Sequence, residues 1–492
     1  MRHTATFPID DLVFWKKQLL YWAAGHELGV YLDSNTLETS EVFEDLRGWE
    51  CLAAAEAFEV VEARAGNAFE QLRTFQKDKE DWLFGFFCYD LKNEVEQLNS
   101  QHFDGILMPD LGFFRPGSVV GIKPVQFLET SQVSYLLEIQ TLECEPEVIF
   151  SEIKTANRPS QKQENVRVKL QPRIPKSEYL QTVETIRQHI AAGDIYEMNF
   201  CQEFFAENVM LDPVAVFERL NIIGKAPFAT FLRWRDRYLL SASPERFLKK
   251  TGQKLITQPI KGTRRREKTA EEDEQIRQAL AASEKDRSEN VMIVDLVRND
   301  LSRNCLPGSV VVEELCGIYS FATVHQMIST VSGVLPKLGS LGSLGSLRSF
   351  ESLGSLVSTS NDPNDVMTNA TIALQALRDC FPMGSMTGAP KIMSMELIER
   401  YERTRRGLYS GAVGYFAPDG DFDFNVVIRS ILYNAATRYV SAQVGGAIVY
   451  DSVPEQEYEE CMVKAEAMMR ALEAGLGLQS IGSPDKVNGG LT

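Results

Sequence analysis

The sequence predicts an α+β fold, in which helices and strands alternate irregularly along the chain. Three observations support this prediction. The segment SEYLQTVETIRQHIAAG places apolar residues at helical spacing and stops at Gly193. Residues 411–442 alternate apolar and polar residues around a PDGD turn, which is typical of a β-hairpin. A final helix is predicted to begin near Ser452, where the pattern Ser-x-x-Glu forms a capping box.

Composition excludes several classes of protein. The chain has 492 residues, 44% hydrophobic and 24% charged, which is ordinary for a globular protein with a large core. A net charge of −17 disfavours nucleic acid or an anionic membrane as a partner. The eight cysteines are scattered without C-x-x-C spacing, and no apolar run reaches about 18 residues. We therefore expect a soluble cytoplasmic protein.

The chain divides into regions of different composition. Residues 1–150 predict a scaffold with few reactive groups, and the polar stretch 151–176 predicts a connector. Residues 177–475 carry the candidate site. Within them, 338–362 is a Leu/Gly/Ser repeat, which predicts a mobile insertion or, alternatively, a lid over the site. Residues 476–492 are expected to be a disordered tail.

Two predicted helices each carry carboxylates on one face. Glu457, Glu460 and Lys464 lie at i, i+3 and i+7, and Asp286 and Glu289 lie at i and i+3. If these faces oppose each other, we expect a hard divalent cation such as Mg²⁺ between them. The alternative is a pair of solvated surface helices with salt bridges. The spacing alone leaves both possibilities open.

Three segments could bind an anion. Gly384–Gly388, which contains Thr387, precedes a predicted helix and could present free backbone N–H groups, or it could be a plain tight turn. Gly445 and Gly446 end a strand, where their amides could approach a carboxylate or form a bulge. Arg429 lies between apolar strand residues and either clamps an anion or faces solvent.

Lys261 and His325 each allow two interpretations. Lys261 precedes the basic run Arg264–Arg266, and neighbouring positive charge with partial burial would lower its pKa, as an amine nucleophile requires. It could equally belong to a basic surface cluster. His325 lies in an apolar run, where a hydrogen-bonded core histidine is common. The sequence contains neither a Walker A motif nor a Gly-x-Gly-x-x-Gly fingerprint, so nucleotide binding loses support.

Many motifs, in order from Lys176 to Leu472, resemble those of one family. They include GDIYEMNF, SASPERF, PIKGTRRR, KDRSENVMIVDLVRNDL, FPMGSMTGAPK, VVIRS and PEQEYEECMVKA. The family is that of the chorismate-utilising enzymes, which includes anthranilate, aminodeoxychorismate, isochorismate and salicylate synthases. The resemblance is weaker in the N-terminal third. It implies a two-lobed antiparallel β-sandwich flanked by helices, with the active site in a cleft.

The resemblance also implies roles for the candidate residues. Glu289 and Glu460 would hold Mg²⁺, with Asp286 and Glu457 acting through water. The substrate-binding residues that the resemblance implies are Thr387, Tyr409, Arg429, Gly445, Gly446 and Lys464. Among the catalytic residues, Glu245 would protonate the departing C4 hydroxyl.

Further roles follow from the same resemblance. Arg429 and Tyr409 would hold the enolpyruvyl carboxylate of chorismate, and His325 would line its ring. Lysine at position 261 implies amination at C4, because relatives that form anthranilate usually carry alanine there. Lys261 would add to C2 as the hydroxyl leaves, and ammonia would then enter at C4 and expel it.

The expected product is 4-amino-4-deoxychorismate, on the route to p-aminobenzoate and folate. Ammonia is expected from a separate glutamine amidotransferase subunit, since no region of the sequence resembles a glutaminase. The alternatives are anthranilate formation and a non-catalytic chorismate- or tryptophan-binding paralogue. Two residues depart from the family pattern: Glu197 stands where many relatives have glutamine, and Asp286 replaces a usual glutamate.

Overall fold

The computed structural model describes most of the chain. The described residues are 2–35, 48–77, 79–126, 133–159, 168–321, 324–337 and 368–473. The predicted insertion at 338–362 and the predicted tail at 476–492 lie outside these ranges. No helix within them is long and apolar enough to cross a membrane.

Helices and strands alternate irregularly, as the sequence predicted. The strands are β1 (His3–Ile9), β2 (Leu28–Asp33), β3 (Cys51–Ala63), β4 (Leu83–Phe87), β5 (Leu111–Gln126), β6 (Val133–Thr141), β7 (Gln171–Pro172), β8 (Glu197–Ala206), β9 (Phe228–Trp234), β10 (Arg237–Ser243), β11 (Arg246–Thr251), β12 (Lys254–Gln258), β13 (Ile260–Arg265), β14 (Val311–Ser320), β15 (Val324–Val334), β16 (Gly388–Ala389), β17 (Ala412–Phe416), β18 (Phe422–Val426), β19 (Ser430–Asn434) and β20 (Tyr439–Ile448). The α-helices are α1 (Leu12–Gly25), α2 (Ala68–Gln76), α3 (Lys92–Val95), α4 (Pro146–Lys154), α5 (Lys176–Ala192), α6 (Pro213–Gly224), α7 (Ala270–Ala282), α8 (Glu284–Ser302), α9 (Asn369–Cys380), α10 (Lys391–Tyr401) and α11 (Pro454–Glu473). Single 3₁₀ turns span Tyr89–Leu91 and Gly384–Met386.

The strands form two antiparallel layers joined at β5. One layer runs β1, β6, β5, β3, β2, β9, β10, β19, β20, β8. The other leaves β5 through β4, β17, β18, β11, β12 and β15, and β15 also pairs with β13 and β14. The predicted α+β fold with antiparallel sheets is confirmed.

Alternating residues of the strands face two different apolar clusters. In β9, Leu232 and Trp234 point into the cluster between the two layers, whereas Phe231 packs with helices on the outer side. Helices α1, α5, α6 and α11 cover that outer side. This period of two is the expected behaviour of strands that are buried on both faces.

The first 150 residues contribute strands to both layers. β2 pairs with β9, and β4 pairs with β17, so the predicted scaffold region 1–150 shares its sheets with the region that carries the site. The predicted connector 151–176 overlaps the end of α4 and contains β7. Residues 160–167 of this connector lie outside the described ranges.

Individual predicted elements agree with the structure, with one difference. β17 and β18 form the predicted hairpin, and α5 ends at Gly193, which takes the left-handed conformation with φ 84°. The final helix begins at Pro454 rather than near Ser452. The Ser452 hydroxyl donates to the Glu457 carboxylate at 2.7 Å, so it supports an acidic side chain of the site.

Trp234 tests the packing between the two layers. It is fully buried, with ring centroids of Phe86 and Phe114 at 5.0 and 6.1 Å, and its indole N–H donates to Glu62. We expect Trp234→Ala to lower the free energy of unfolding by about 3–5 kcal/mol, through the cavity it leaves. Guanidinium denaturation followed by circular dichroism measures this. The exposed Val13→Ala should change stability by less than about 0.5 kcal/mol, and equal losses would contradict the prediction.

Candidate active site

A β-bulge in β13 directs Lys261 into the interior. The register between β13 and β15 shifts between Ile260 and Thr263, and Gly262 takes a positive φ of 86° inside the shift. The Lys261 side chain is 9% exposed, and its Nζ donates to Glu197 Oε1 at 2.5 Å. The sequence therefore located the lysine correctly near a turn-like irregularity, but it missed the carboxylate that binds it.

The predicted lowering of the Lys261 pKa is wrong. Burial by itself lowers this pKa, but the ion pair with Glu197 and the negative charges of Glu289 and Glu245 raise it above its ordinary value. The basic run Arg264–Arg266 does not offset them, because two of its guanidiniums are held by acidic residues on α7 and α8. The ammonium form of Lys261 is thus the stable one in this structure.

Glu245 has the properties of a buried proton donor. It is 5% exposed, and the Ser385 hydroxyl donates to its Oε1 at 2.6 Å. Burial raises the pKa of Glu245 to about 7, although the Ser385 hydrogen bond and the Lys261 charge act in the opposite direction. A carboxyl that keeps its proton near neutral pH can act as a general acid. Ser385 was not predicted, and its position in the segment FPMGSMTGAPK was the available signal.

Helices α8 and α11 bring their acidic faces together. Lys285 on α8 links them, because its Nζ lies 3.3 Å from Glu457 Oε1 on α11 and 3.9 Å from Glu289 Oε1 on its own helix. Glu457 and Glu289 are both buried. An ammonium group therefore lies between the two carboxylates, at the kind of position that a cation would take. Of the two interpretations of these helices, the structure favours opposed faces over separate surface helices.

Gly446 marks the point where three charged groups converge. A Cβ atom at this glycine would lie 3.4 Å from Glu457 Oε2, 3.6 Å from Lys464 Nζ and 3.7 Å from Glu460 Oε1. Lys464 also pairs with Glu460 at 2.6 Å and donates to the Gly445 carbonyl at 2.8 Å. The absence of a side chain thus keeps the centre of the cluster open.

The carboxylates of the cluster differ in proton affinity. Burial raises the pKa of Glu289 to about 7, whereas the Lys464 ammonium lowers the pKa of Glu460 to about 2. Glu289 Oε1 is buried and has no hydrogen-bond partner among the described residues. A buried carboxylate oxygen that accepts no hydrogen bond there, with only the Lys285 ammonium 3.9 Å away, fits a hard cation such as Mg²⁺, which prefers oxygen ligands.

Asp286 points elsewhere than predicted from its spacing. Its Oδ2 accepts from the Arg264 guanidinium at 2.6 Å, and its carboxyl packs against Gly262 of β13. Glu289, one turn later, is the residue of this pair that faces α11. Over the described ranges, no three His, Cys, Asp or Glu side chains already stand at metal-binding spacing. The role of Asp286 near a metal therefore stays a prediction.

Arg429 is a cation without an anion. It connects β18 to β19 with a left-handed backbone, φ 53°, and no acceptor among the described residues binds its guanidinium. Burial lowers its pKa, while Tyr409 and Glu460 act to raise it. Tyr409 is itself buried, with its hydroxyl 3.6 Å from Cys201 Sγ. An unpaired guanidinium on a strained backbone is a candidate site for a substrate carboxylate.

Two other predicted residues are held by the protein itself. His325 is buried, with Nε2 3.0 Å from Asp273 Oδ1 and Nδ1 2.8 Å from Ser320 Oγ. This is the hydrogen-bonded core histidine that the sequence left as an alternative. The Thr387 hydroxyl donates to the Gly384 carbonyl at 3.2 Å, inside its own turn. Substrate contacts for these two residues stay predictions.

A buried ion pair, missed in the sequence, positions the turn that carries Ser385. Arg406 pairs with Glu402 at 2.7 Å and donates to the carbonyls of Met386 and Asn199, at 2.6 and 2.8 Å. The guanidinium therefore joins the turn to β8, the strand that begins with Glu197. Removing either partner would leave a buried charge unpaired.

Comparison with known proteins identifies the family of this chain. A model of the chorismate binding enzyme family matches residues 24–347 and 366–470. The chain belongs to the chorismate-binding enzyme family. This confirms the resemblance inferred from the motifs. The match leaves out only the ends of the chain and a short stretch, 348–365, that overlaps the predicted insertion.

The curated relatives that this chain matches include proteins named aminodeoxychorismate synthase and proteins named anthranilate synthase. An aminodeoxychorismate synthase of Streptomyces griseus is 40% identical over 60% of this chain and 36% of its own length. Aminodeoxychorismate synthase component 1 of Bacillus subtilis is 37% identical over 60% of this chain and 55% of its own length. The chain thus spans about a third and about half of these two relatives. Anthranilate synthase component 1 of Thermus thermophilus is 32% identical over 80% of this chain and 77% of its length.

Solved structures share the fold. Anthranilate synthase component I from Streptococcus pneumoniae has a TM-score of 0.65 at 24% identity, covering 85% of this chain and 91% of its own. MenF, the menaquinone-specific isochorismate synthase from Escherichia coli, has a TM-score of 0.64 at 16% identity, covering 96% and 94%. Proteins named after different reactions thus share one architecture, so the reaction has to be argued from the site.

The raised pKa of Glu245 predicts a pH-dependent stability. Between its ordinary pKa of 4.5 and about 7, the folded state binds a proton that the unfolded state has lost, so stability falls as the pH rises through this window. At pH 8, Glu245→Gln should stabilise the protein by on the order of 3 kcal/mol, and the gain should disappear towards pH 4.5.

Denaturant midpoints at pH 5 and pH 8 measure this difference. Glu459→Gln, at an exposed position of α11, is the control and should shift stability equally at both pH values. If Glu245→Gln were less stable than the wild type at pH 8, burial of an ionisable carboxyl would not be the source of the effect.

Proposed function

We propose that this chain aminates chorismate at C4 to form 4-amino-4-deoxychorismate, the precursor of p-aminobenzoate in folate biosynthesis. The observation that carries the proposal is the buried amine of Lys261, which lies close enough to Glu245 and to Glu289 of α8 for their charges to act on it. A lysine at this position supplies the amine that 4-amination needs as its nucleophile. Relatives named aminodeoxychorismate synthase support the same reaction.

Each residue of the cleft has a task in this reaction. Hydroxide is a poor leaving group, and Glu245 is the group that can protonate it, since it holds a proton near pH 7. Arg429, with Tyr409 beside it, binds the enolpyruvyl carboxylate and so orients the ring. Lys464 and the amides near Gly446 lie where the ring carboxylate would approach the acidic cluster.

We propose Mg²⁺ as the cofactor, as the resemblance to the family implies. Glu289 and Glu460 would hold it, with Glu457 and Asp286 close by, although Asp286 first has to give up its ion pair with Arg264. When bound, the ion would neutralise the ring carboxylate and withdraw electron density from the ring. The orphaned oxygen of Glu289 supports this assignment.

Ammonia would come from a partner, a glutamine amidotransferase subunit. Relatives named component 1 support the existence of a second component. Anthranilate formation is the alternative reaction, and relatives named anthranilate synthase support it. The two reactions need different groups at C2: a lysine amine for 4-amination, and ammonia for anthranilate.

Removing the amine tests the reaction. Wild-type protein with chorismate, Mg²⁺ and an ammonium salt should form aminodeoxychorismate, identified by mass and by conversion to fluorescent p-aminobenzoate with a lyase. Lys261→Ala should lose this activity by at least about 1,000-fold, because it removes the amine that attacks C2 in 4-amination. Lys250→Ala, which removes another buried, ion-paired lysine, is the matched control and should retain activity. Anthranilate as the main wild-type product would contradict the proposal.

Substitution of Arg429 is expected to weaken the binding of chorismate. Arg429→Ala should raise the KM for chorismate by about 10- to 100-fold, the value of a charge-assisted hydrogen bond, and Arg429→Lys should recover only part of it. Steady-state kinetics measure the change. Arg438→Ala is the matched control, because Arg438 also has a positive φ, 57°, but is exposed. An unchanged KM in the Arg429 variants would remove this residue from the substrate site.

A further inference from the structure

We propose that Glu197 is the proton acceptor that makes Lys261 nucleophilic. Glu197 begins β8 and is 1% exposed, and its Oε1 accepts a hydrogen bond from Lys261 Nζ at 2.5 Å. Its second oxygen, Oε2, is buried with no hydrogen-bond partner in the described part of the chain. A buried carboxylate whose one hydrogen-bonded oxygen accepts from the reacting nitrogen is well placed to take a proton from it. The inference rests on the proposed function.

The site requires such an acceptor. An ammonium group has no lone pair, and the Glu197 carboxylate that pairs with Lys261 favours the ammonium form. Glu289 on α8 and Glu245 before β11 add to this effect when they are ionised. A proton therefore has to leave before the nitrogen can attack. Bulk water is a poor acceptor for it, because the side chain is nine-tenths buried.

The other carboxylates have different tasks or positions. Glu245 must deliver a proton to the leaving hydroxyl, and it is held by Ser385. Glu289 and Glu460 belong to the acidic cluster of α8 and α11. Among the described residues, Glu197 is the carboxylate whose oxygen lies within 4.0 Å of Lys261 Nζ. The distance to Lys261 and the roles of the other carboxylates thus both select Glu197 as the proton acceptor.

Substrate binding supplies the driving force for the transfer. When chorismate covers the cleft, the Lys261 and Glu197 pair loses its remaining contact with water. A neutral amine beside a neutral carboxyl carries a smaller desolvation penalty than an ammonium beside a carboxylate, so the proton shifts towards Glu197.

The step balances in atoms and charge. One proton moves from Nζ to Glu197, the nitrogen lone pair forms the bond to C2, both ring double bonds shift by one position, and the C4–O bond breaks. The proton of Glu245 leaves with the hydroxyl as water. Ammonia then bonds to C4, the bond between C2 and Nζ breaks, and Lys261 recovers its proton from Glu197. The new C4 ammonium group returns a proton to Glu245, so chorismate and ammonia give the amine and water.

The pH dependence of a charge-neutral variant tests the proposal. In Glu197→Gln the Lys261 proton must leave to solvent, so kcat at pH 7 should fall about 100-fold. The ratio of variant to wild-type kcat should then rise about tenfold per pH unit between pH 7 and 9, and using the ratio cancels the titration of Glu245. The KM for chorismate should change little, since Glu197 binds the lysine rather than the substrate. Glu197→Asp should restore part of the rate at pH 7.

Glu203→Gln is the matched control. Glu203 lies on the same strand and is buried, but it pairs with Arg173 at 3.0 Å, whereas Lys261 pairs with Glu197. Its kcat ratio to the wild type should not vary with pH. A flat ratio in Glu197→Gln, or a kcat equal to that of the wild type at pH 7, would overturn the role of Glu197. Absence of aminodeoxychorismate with wild-type protein would instead overturn the proposed function.

Discussion

The candidate active site depends on burying several carboxylates around one ammonium group. Lys261 alone is surrounded by Glu197, Glu245 and Glu289. Burial raises the pKa values of Glu245 and Glu289 to about 7, although the Lys261 charge acts in the opposite direction, so both carboxyls can hold a proton near neutral pH. The proposed proton donation, proton acceptance and cation binding would all depend on this burial of charged groups.

The two antiparallel layers hold this arrangement, and their backbone departs from regular strand geometry at a few positions. The bulge at Gly262 directs Lys261 inwards, and the left-handed backbone of Arg429 places a cation where no anion of the described residues binds it. Such positions persist only where neighbouring structure determines them, here two packed antiparallel layers and the buried pair of Arg406 and Glu402. At these positions, the backbone conformation that the proposed site needs costs folding stability, and the surrounding packing offsets this cost.

Periodicity made several parts of the molecule predictable. The helical spacing that ends at Gly193 and the hairpin of β17 and β18 follow from local rules, and both are present. The i, i+3 spacing of Glu457 and Glu460 correctly placed them on one face. For Asp286 the spacing did not reveal its observed partner, Arg264 of a neighbouring strand, and its role near a metal stays a prediction. Local patterns give the face of an element, but only packing gives the partner of a side chain.

The residues of the sequence by themselves determined the fold class, the family and nearly all the groups that can react, because these follow from composition, periodicity and ordered motifs. Tertiary structure alone decided the protonation states. Glu197 and Lys261 are 64 positions apart, and Ser385 and Glu245 are 140 apart. Proton affinity depends on burial and on charges a few ångströms away, and neither can be read along a chain whose distant segments supply them.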